Sequence, residues 1–373
     1  MSIEIKEITT SRQLREYIYF PRSIYKDDSH WVPPLYSDEF DFHNPKRNSA
    51  LQYSEGIRLM AYRSSQAVGR IMGIINKKYN DQHGEQTARF FQLDCINDPD
   101  VAHALIDEIE KWATLKGMNK VIGPYGFSDK DPQGLQIEGF AHLPVIATPT
   151  NPAYLQKLVE GEGYGKEIDC LSYQMPIPKS FPEMYSKIYE RVCSNKKIKL
   201  IEFSSKQQLK PYIVPVFRLV NECYTPLFGF VPMSEEGMKR FAAQYLPILD
   251  PGFVKVIVDQ QNDVVAFVVS MPDMSKGIQK AKGKLFPFGF LHILGSAKKT
   301  KQLDLLLGAV KSNFRGKGLT VMLGKSLMET ASKCGLETMD SHLILETNSR
   351  MQAECENVGG KIYKRYRVYQ KMI

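Results

Sequence analysis

The sequence predicts an α/β protein, an α+β mixture built on a mixed sheet, in two tandem copies of one unit. The chain has 373 residues, more than one ordinary core organises. Strand-length apolar runs alternate with stretches of helical period in both halves. The halves also close on related text: "NPAYLQKLVEGEGYGKEIDCLSYQM" runs against "NSRMQAECENVGGKIYKRYRVYQKM". Asn151 and Asn348, like Gly163 and Gly360, are 197 residues apart, and one offset over one element order signals a repeat.

In the first half, "IRLMAYRSSQAVGRIMGII" reads as a hairpin and "ARFFQLDCI" as a strand. "DVAHALIDEIEKWATLKG" is a helix whose Val101, Leu105, Ile109, Trp112 and Ala113 form one apolar stripe. The strand "NKVIGP", a helix in "NPAYLQKLVEGEG" and the strand "KEIDCLSYQM" follow. In the second half, "FVKVIVDQQNDVVAFVVSM" is a hairpin and "QLDLLLGAV" a strand. After the loop "NFRGKGLTVML", Leu319, Met322, Leu323, Leu327, Ala331 and Cys334 recur at three- and four-residue spacing, and Gly335 ends that helix. "SHLILET" reads as a strand, "NSRMQAECENVGG" as a helix capped by Asn348, and "KIYKRYRVYQKM" as a final strand pair. The expected division is 1–175, a linker with a short helix at 176–197 where prolines interrupt the pattern, and 198–373.

The N-terminus carries charges throughout and no apolar run is long enough to span a bilayer, so the cytoplasm is the expected compartment. Six scattered cysteines without a CxxC pair argue against zinc and a disulfide framework, and seven histidines without HxxxH spacing leave no readable metal site. The net charge of +8 favours anionic partners.

A loop that leaves a strand and enters a helix presents free backbone N–H groups and the positive end of the helix dipole to an anion. Gly316 and Gly318 permit positive φ and close approach, while Arg315 and Lys317 add charge. The residue three after Gly318 is Val321, so the dinucleotide fingerprint is missing, and no P-loop GxxxxGK motif occurs.

Arg315-Gly316-Lys317-Gly318-Leu319-Thr320 resembles the Q/R-x-x-G-x-G/A signature of the GCN5-related N-acetyltransferase (GNAT) superfamily at five of six places. It departs at Thr320, where a small residue is usual. The resemblance implies that this loop holds the pyrophosphate of acetyl-coenzyme A or another acyl-coenzyme A. It further implies a bulge in the preceding strand, near Ala309, Val310 and Lys311, that offers backbone groups to the donor. Asn348 opens the segment resembling the helix after the family's fifth strand and joins the expected cofactor-binding set. Two copies in one chain resemble tandem bacterial acyltransferases. The first-half counterpart of the loop, "INDPD", has no glycine and adds negative charge, so that half is expected to be structural or to shape the acceptor site.

The implied reaction is N-acylation of a small-molecule or peptide amine. Glu346 and Glu222 are the candidate bases, and Cys355 stands where the family's proton-donating tyrosine aligns; each also has a plain structural reading as a pairing or packing residue. Tyr224 and Phe228 in "YTPLFGFVPM" are candidate acceptor contacts. So are Tyr125 and Phe127 in "GPYGFSDKDPQGLQIEGF", a glycine-rich irregular stretch expected to form one wall of the acceptor site. "KIYKRYRVYQK" alternates basic and aromatic residues, which fits a half-exposed strand or a nucleic-acid surface. DNA is not expected; transferases that use charged tRNA share the two-lobed outline, so tRNA stays an alternative partner, as does a non-catalytic acyl-coenzyme A sensor. "FPFGFLHILG" reads as a buried element beside the active strand, or as a surface for an apolar acceptor or lipid.

Overall fold

A computed structural model describes residues 2–181 and 183–373. Its strands are β1 (Ile3–Glu7), β2 (Ser54–Arg63), β3 (Gln66–Asn76), β4 (Thr87–Cys95), β5 (Lys120–Gly123), β6 (Leu135–Glu138), β7 (Gly165–Pro176), β8 (Ile198–Glu202), β9 (Val254–Asp259), β10 (Val264–Pro272), β11 (Gln302–Val310), β12 (Thr338–Asp340), β13 (Ile344–Leu345) and β14 (Lys361–Met372). They form one sheet in the order β1-β2-β3-β4-β5-β14-β7-β12-β11-β10-β9-β8, with β6 against β14 and β13 against β7. The order reads the same from either edge. Each first-half strand has a second-half counterpart, and the two final strands have changed places: β5 pairs with β14, and β12 with β7.

β14 is one continuous strand rather than the expected pair, and it is central rather than terminal. It pairs with β7 from Lys361↔Gln174 to Gln370↔Gly165. Tyr366, Val368 and Tyr369 are buried. Arg367 forks onto Asp169 (Nε to Oδ1, 2.8 Å), Arg365 pairs with Glu138 and Lys371 with Glu110. The basic and aromatic alternation is therefore consumed by ion pairs and core packing within the sheet.

In each half a helix crosses between two parallel strands: Pro99–Leu115 joins β4 to β5, and Leu319–Lys333 joins β11 to β12. Val101, Leu105, Ile109 and Ala113 of the first are buried, as are Leu319, Met322, Leu323, Leu327 and Ala331 of the second. Each of these leucines or isoleucines contributes about 1.5–3 kcal/mol by leaving water. Cys334, expected on that stripe, is instead the exposed C-cap, because the helix ends one residue earlier.

β11 and β12 stay paired for only three residues, Gln302↔Thr338 to Asp304↔Asp340, and then diverge. Two irregularities cause this. Leu305 and Leu307 oppose Ser270 and Val269, which leaves Leu306 as an extra residue in β11. The bulge thus falls at Leu306 and not at the expected Ala309–Lys311. The strand expected over "SHLILET" is real only at Ile344–Leu345, because Ser341–Leu343 leave the ladder and His342 takes φ 58°. Such a backbone costs about 1–3 kcal/mol outside glycine and persists only where the surroundings impose it.

At the apex of the split lies a buried polar cluster. Asp304, Asp340 and Lys364 are each at most 1% exposed. The Tyr363 hydroxyl donates to Asp340 and the Lys364 ammonium to the Leu143 carbonyl. Burial, aided by Asp273 and Asp340, pushes the Asp304 carboxyl far above its ordinary range.

Candidate active site

The glycine loop enters the helix Leu319–Lys333 through Gly316 (φ 73°) and Gly318 (φ 84°), both in the region that favours glycine. Gly318 occupies the N-cap and supplies no side-chain cap, so the first N–H groups of the helix point out unpaired by any cap. Arg315 and Lys317 are exposed beside them, and Arg315 Nε donates to the Val310 carbonyl (3.1 Å), tying the loop to the end of β11. A side chain at Gly318 would meet Val192 and Ile188 of the linker helix Glu183–Cys193 at 2.7 and 3.0 Å, whereas the space at Gly316 is open. The loop is therefore open to an approaching group on the Gly316 side. Loop, uncapped helix and flanking cations fit a diphosphate.

The split between β11 and β12–β13 opens a cavity of about 630 Å³ below this helix end. Ala309, Val310, Thr320 and Asn348 line it, with Leu305–Leu307 and Ser341–Leu345 as its two walls. Asn348 also caps its helix, accepting from the Met351 N–H at 3.2 Å. Lys311 lies outside the lining and continues the sheet through its N–H to the Val265 carbonyl (2.8 Å). The Tyr224 hydroxyl bridges Gly308, donating to its carbonyl (2.9 Å) and accepting from its N–H (3.3 Å).

A second cavity, about 280 Å³, lies on the other side of the split. Its wall is largely apolar, with Phe217, Leu227, Phe228, Phe241, Leu249 and Met271 among the lining. Polar groups enter at one end, where Asp129, Lys130 and Asp131 come from the glycine-rich stretch of the first half. That stretch is rigidly held. The buried guanidinium of Arg89 donates to the carbonyls of Gly126 (2.8 Å) and Phe127 (2.9 Å), and Asn76 Nδ2 donates to Phe127 O at 2.7 Å. Burial raises the Asp131 carboxyl to about 6, and it raises Asp129 as well.

Tyr224, Leu227, Leu306, Leu307, His342, Leu343 and Leu345 line both cavities, so the two meet at the split. His342 is the titratable side chain of that junction whose ring nitrogens face opposite tasks. Nε2 lies 3.0 Å from the Ile146 carbonyl, which can only accept, so Nε2 carries the hydrogen and Nδ1 keeps its lone pair. Nδ1 has no hydrogen-bond partner among the described residues. Burial and the nearby Lys364 charge hold the imidazole below its ordinary range, although Asp340 and the Ile146 carbonyl pull the other way. The ring is neutral at physiological pH.

The remaining sequence-derived residues are placed as follows. Cys355 is buried against the first cavity, and burial pushes its thiol up to about 12. Glu346 lines neither cavity; its carboxylate pairs with Lys166 (2.6 Å) and accepts from the Asp169 N–H (3.0 Å), which is its pairing role. Glu222 is exposed and lines neither. Phe228 reaches the second cavity, with Tyr125 behind it in an edge-to-face contact at 5.4 Å. Phe127 packs away from the site against Phe42 at 5.0 Å. Residue reading missed His342, Asp129 and Asp131. A lone histidine inside an expected strand carries no pattern of its own, and only the mismatch between that strand and φ 58° marks it.

In the first half the loop equivalent to the glycine turn is closed. Asp98 caps the helix Pro99–Leu115 through the Asp100 N–H (3.0 Å) and pairs with Arg63 at 2.7 Å, and Tyr154 donates to the Cys95 carbonyl.

No protein-family model matches the chain. It is 28% identical over 378 residues to Protein YghO of Escherichia coli (strain K12), covering 99% of this chain and 95% of that protein. It is 26% identical over 379 residues to a bacterial ceramide synthase of Caulobacter vibrioides (strain NA1000 / CB15N), covering 100% and 98%. Among solved structures, a tandem GNAT protein from the clavulanic acid biosynthesis pathway matches over 100% of this chain and 98% of its own with a TM-score of 0.56 at 10% identity. A GCN5-related N-acetyltransferase from Sphaerobacter thermophilus matches over 99% and 95% with a TM-score of 0.50 at 10% identity. The palindromic sheet, the split after β11 and the glycine-entered helix together identify the chain as having the tandem GCN5-related N-acetyltransferase fold.

Proposed function

We propose that the protein is an acyl-coenzyme A-dependent N-acyltransferase whose acceptor is an amine with a long apolar chain. The observation that carries this reading is the meeting of two cavities at His342, one beneath the glycine loop and one lined by apolar side chains. A thioester donor entering along β11 and an amine entering from the opposite side would come together there. The full-length relative named bacterial ceramide synthase supports an apolar pair of substrates, since a ceramide is a long-chain amide.

In this reading the loop 315–320 grips the diphosphate through backbone N–H groups, and Arg315 and Lys317 add charge. Asp131 and Asp129 hold the incoming ammonium at the polar end of the acceptor cavity. His342 Nδ1 takes the proton that the amine must lose before its nitrogen can bond to the acyl carbon. The carbon–sulfur bond then breaks and the departing thiolate is protonated. The proton that His342 took from the amine is the one returned to sulfur; Cys355 lines the donor cavity, but burial pushes its thiol up to about 12, which makes it a weaker acid than the thiol that leaves.

The test is incubation of the purified protein with coenzyme A thioesters of graded chain length and with long-chain amino alcohols, following free thiol and amide product by mass spectrometry. Amide formation that grows with chain length supports the reading. Donor binding without thiol release would replace it with a sensor role, and activity only with charged tRNA would replace the donor.

A further inference from the structure

Residues 274–303 hold seven lysines and no aspartate or glutamate. They fold as a hairpin of two short helices, Ser275–Lys280 and Gly289–Ala297, joined by "AKGKLFPF". The sequence run "FPFGFLHILG" is not the buried element one reading expected. Phe286 is 79%, Phe288 67% and Leu291 54% exposed, and Phe290 and Leu294 are exposed beside them. Phe286 and Phe290 touch, with ring centroids 6.3 Å apart. Large apolar side chains rarely gather on a surface without a partner.

The rim of this patch is basic. Lys301 pairs with Glu337 at 3.1 Å, whereas Lys276, Lys280, Lys282, Lys284, Lys298 and Lys299 are exposed and stand outside any ion pair among the described residues. Beside Phe286 and Phe288 a groove of about 550 Å³ brings Lys280, Lys282 and Lys284 together with Arg22 and Lys26 of the N-terminal segment, five cations against the single carboxylate Asp28. Aromatic rings floor it: Tyr25 and Trp31 stack at 5.1 Å, and the Arg22 guanidinium lies over Tyr36 at 4.4 Å. The hairpin is anchored, with Gln279 Nε2 donating to the carbonyls of Ser29 (2.8 Å) and Trp31 (3.0 Å).

We infer that this face docks on an anionic lipid bilayer. Charge complementarity selects that occupant. Exposed phenylalanine and leucine seat in the acyl boundary, aromatic rings suit the headgroup level, and a one-signed lysine rim meets acidic phospholipid. No described helix is long and apolar enough to cross a membrane, so the contact is interfacial. The docking face and the acceptor cavity share a wall. The inner side of the hairpin, Ile278 and Ile293, packs with Met271, Ile146, Ile248 and Leu249, four of the residues that line the acceptor cavity. Docking would therefore bring that cavity close to the lipid from which an apolar amine is drawn; this last link rests on the proposed function, whereas the docking itself does not.

The experiment is co-sedimentation of the full chain with vesicles of phosphatidylcholine alone and of phosphatidylcholine with phosphatidylglycerol, at low and high salt, beside sedimentation velocity without lipid. The protein is expected on the mixed vesicles at low salt and in solution with the neutral ones. Lys280→Glu/Lys282→Glu/Lys284→Glu should lower the partition by about a hundredfold, taking about fivefold per lysine. Phe286→Ser/Phe288→Ser/Leu291→Ser should lower it as well while leaving circular dichroism unchanged. Absence of binding to mixed vesicles at low salt overturns the inference, as does binding that both folded variants retain. A dimer that the apolar variant dissolves, with no vesicle binding, would assign the patch to a second copy instead. Thiol release on soluble substrates is measured in parallel, so failure of docking and failure of catalysis are read separately.

Discussion

The His342 imidazole, from the broken strand of the second half, donates Nε2–H to the carbonyl of Ile146 in the first half at 3.0 Å. This one bond selects the tautomer, orients Nδ1 and ties the first half to the junction of the two cavities. His342→Gln, which removes the basic lone pair, is expected to lower kcat for amide formation by about 10²–10⁴ with donor binding intact. Steady-state rates together with calorimetric titration of coenzyme A check it. Unchanged kcat would remove His342 from the mechanism.

The glycine loop predicts a contrast between neighbours. Gly316→Asp finds open space but takes on left-handed strain, about 1–2 kcal/mol, and adds a negative charge where the diphosphate is expected, so coenzyme A affinity should fall at least about tenfold with a modest loss of stability. Gly318→Ala carries the same left-handed strain and also drives a methyl group into Val192 and Ile188, so it should lose more stability than Gly316→Asp, with no added charge against the diphosphate. Calorimetry paired with thermal unfolding separates the two effects.

Asp131 predicts a pH dependence. Burial raises its carboxyl to about 6, so the group becomes charged as pH rises through that value, and an ammonium acceptor should bind more tightly above it. KM for the amine is expected to fall across this range in the normal protein and to stay flat in Asp131→Asn. A fall that survives the substitution would assign the titration elsewhere.

The Asp304 carboxyl predicts a stability effect of opposite sign to an ordinary salt-bridged aspartate. Its folded pKa lies far above the ordinary 3.8, so the native state binds the extra proton and stability declines as pH rises above that value. Asp304→Asn should match the normal protein near the ordinary pKa and exceed it in melting temperature under alkaline conditions. Equal pH slopes for the two proteins would show that the carboxyl is ionised in the fold.

The exchange of β7 and β14 predicts that neither half folds alone. Fragments 1–177 and 178–373, expressed separately, should be insoluble or lack cooperative unfolding, and co-expressed they should purify as a complex. Independent cooperative folding of either fragment would contradict the exchange, because each sheet half would then be stable without its partner's final strand.

Local signals decided much of this protein. The periodic stripe from Leu319 to Ala331, the Asp98–Pro99 helix start and the glycines of 316–318 are readable because each is enforced within a few residues by burial period, capping or φ. The shared offset of 197 also exposed the repeat, since duplicated elements keep their spacing in the chain. Tertiary structure alone decided where strands sit and where they part. β14 has the alternation of an exposed strand, yet the exchange buries it at the sheet centre and turns Lys364 and Arg367 inward to carbonyl and carboxylate partners. The split arises from an extra residue at Leu306 and a left-handed His342, neither of which has a sequence signature, because both result from long-range pairing with β10 and β7. Chain neighbours determine helices and turns; the site exists only where residues far apart in the chain, Ile146 and His342, Asp131 and Leu306, are brought to one place.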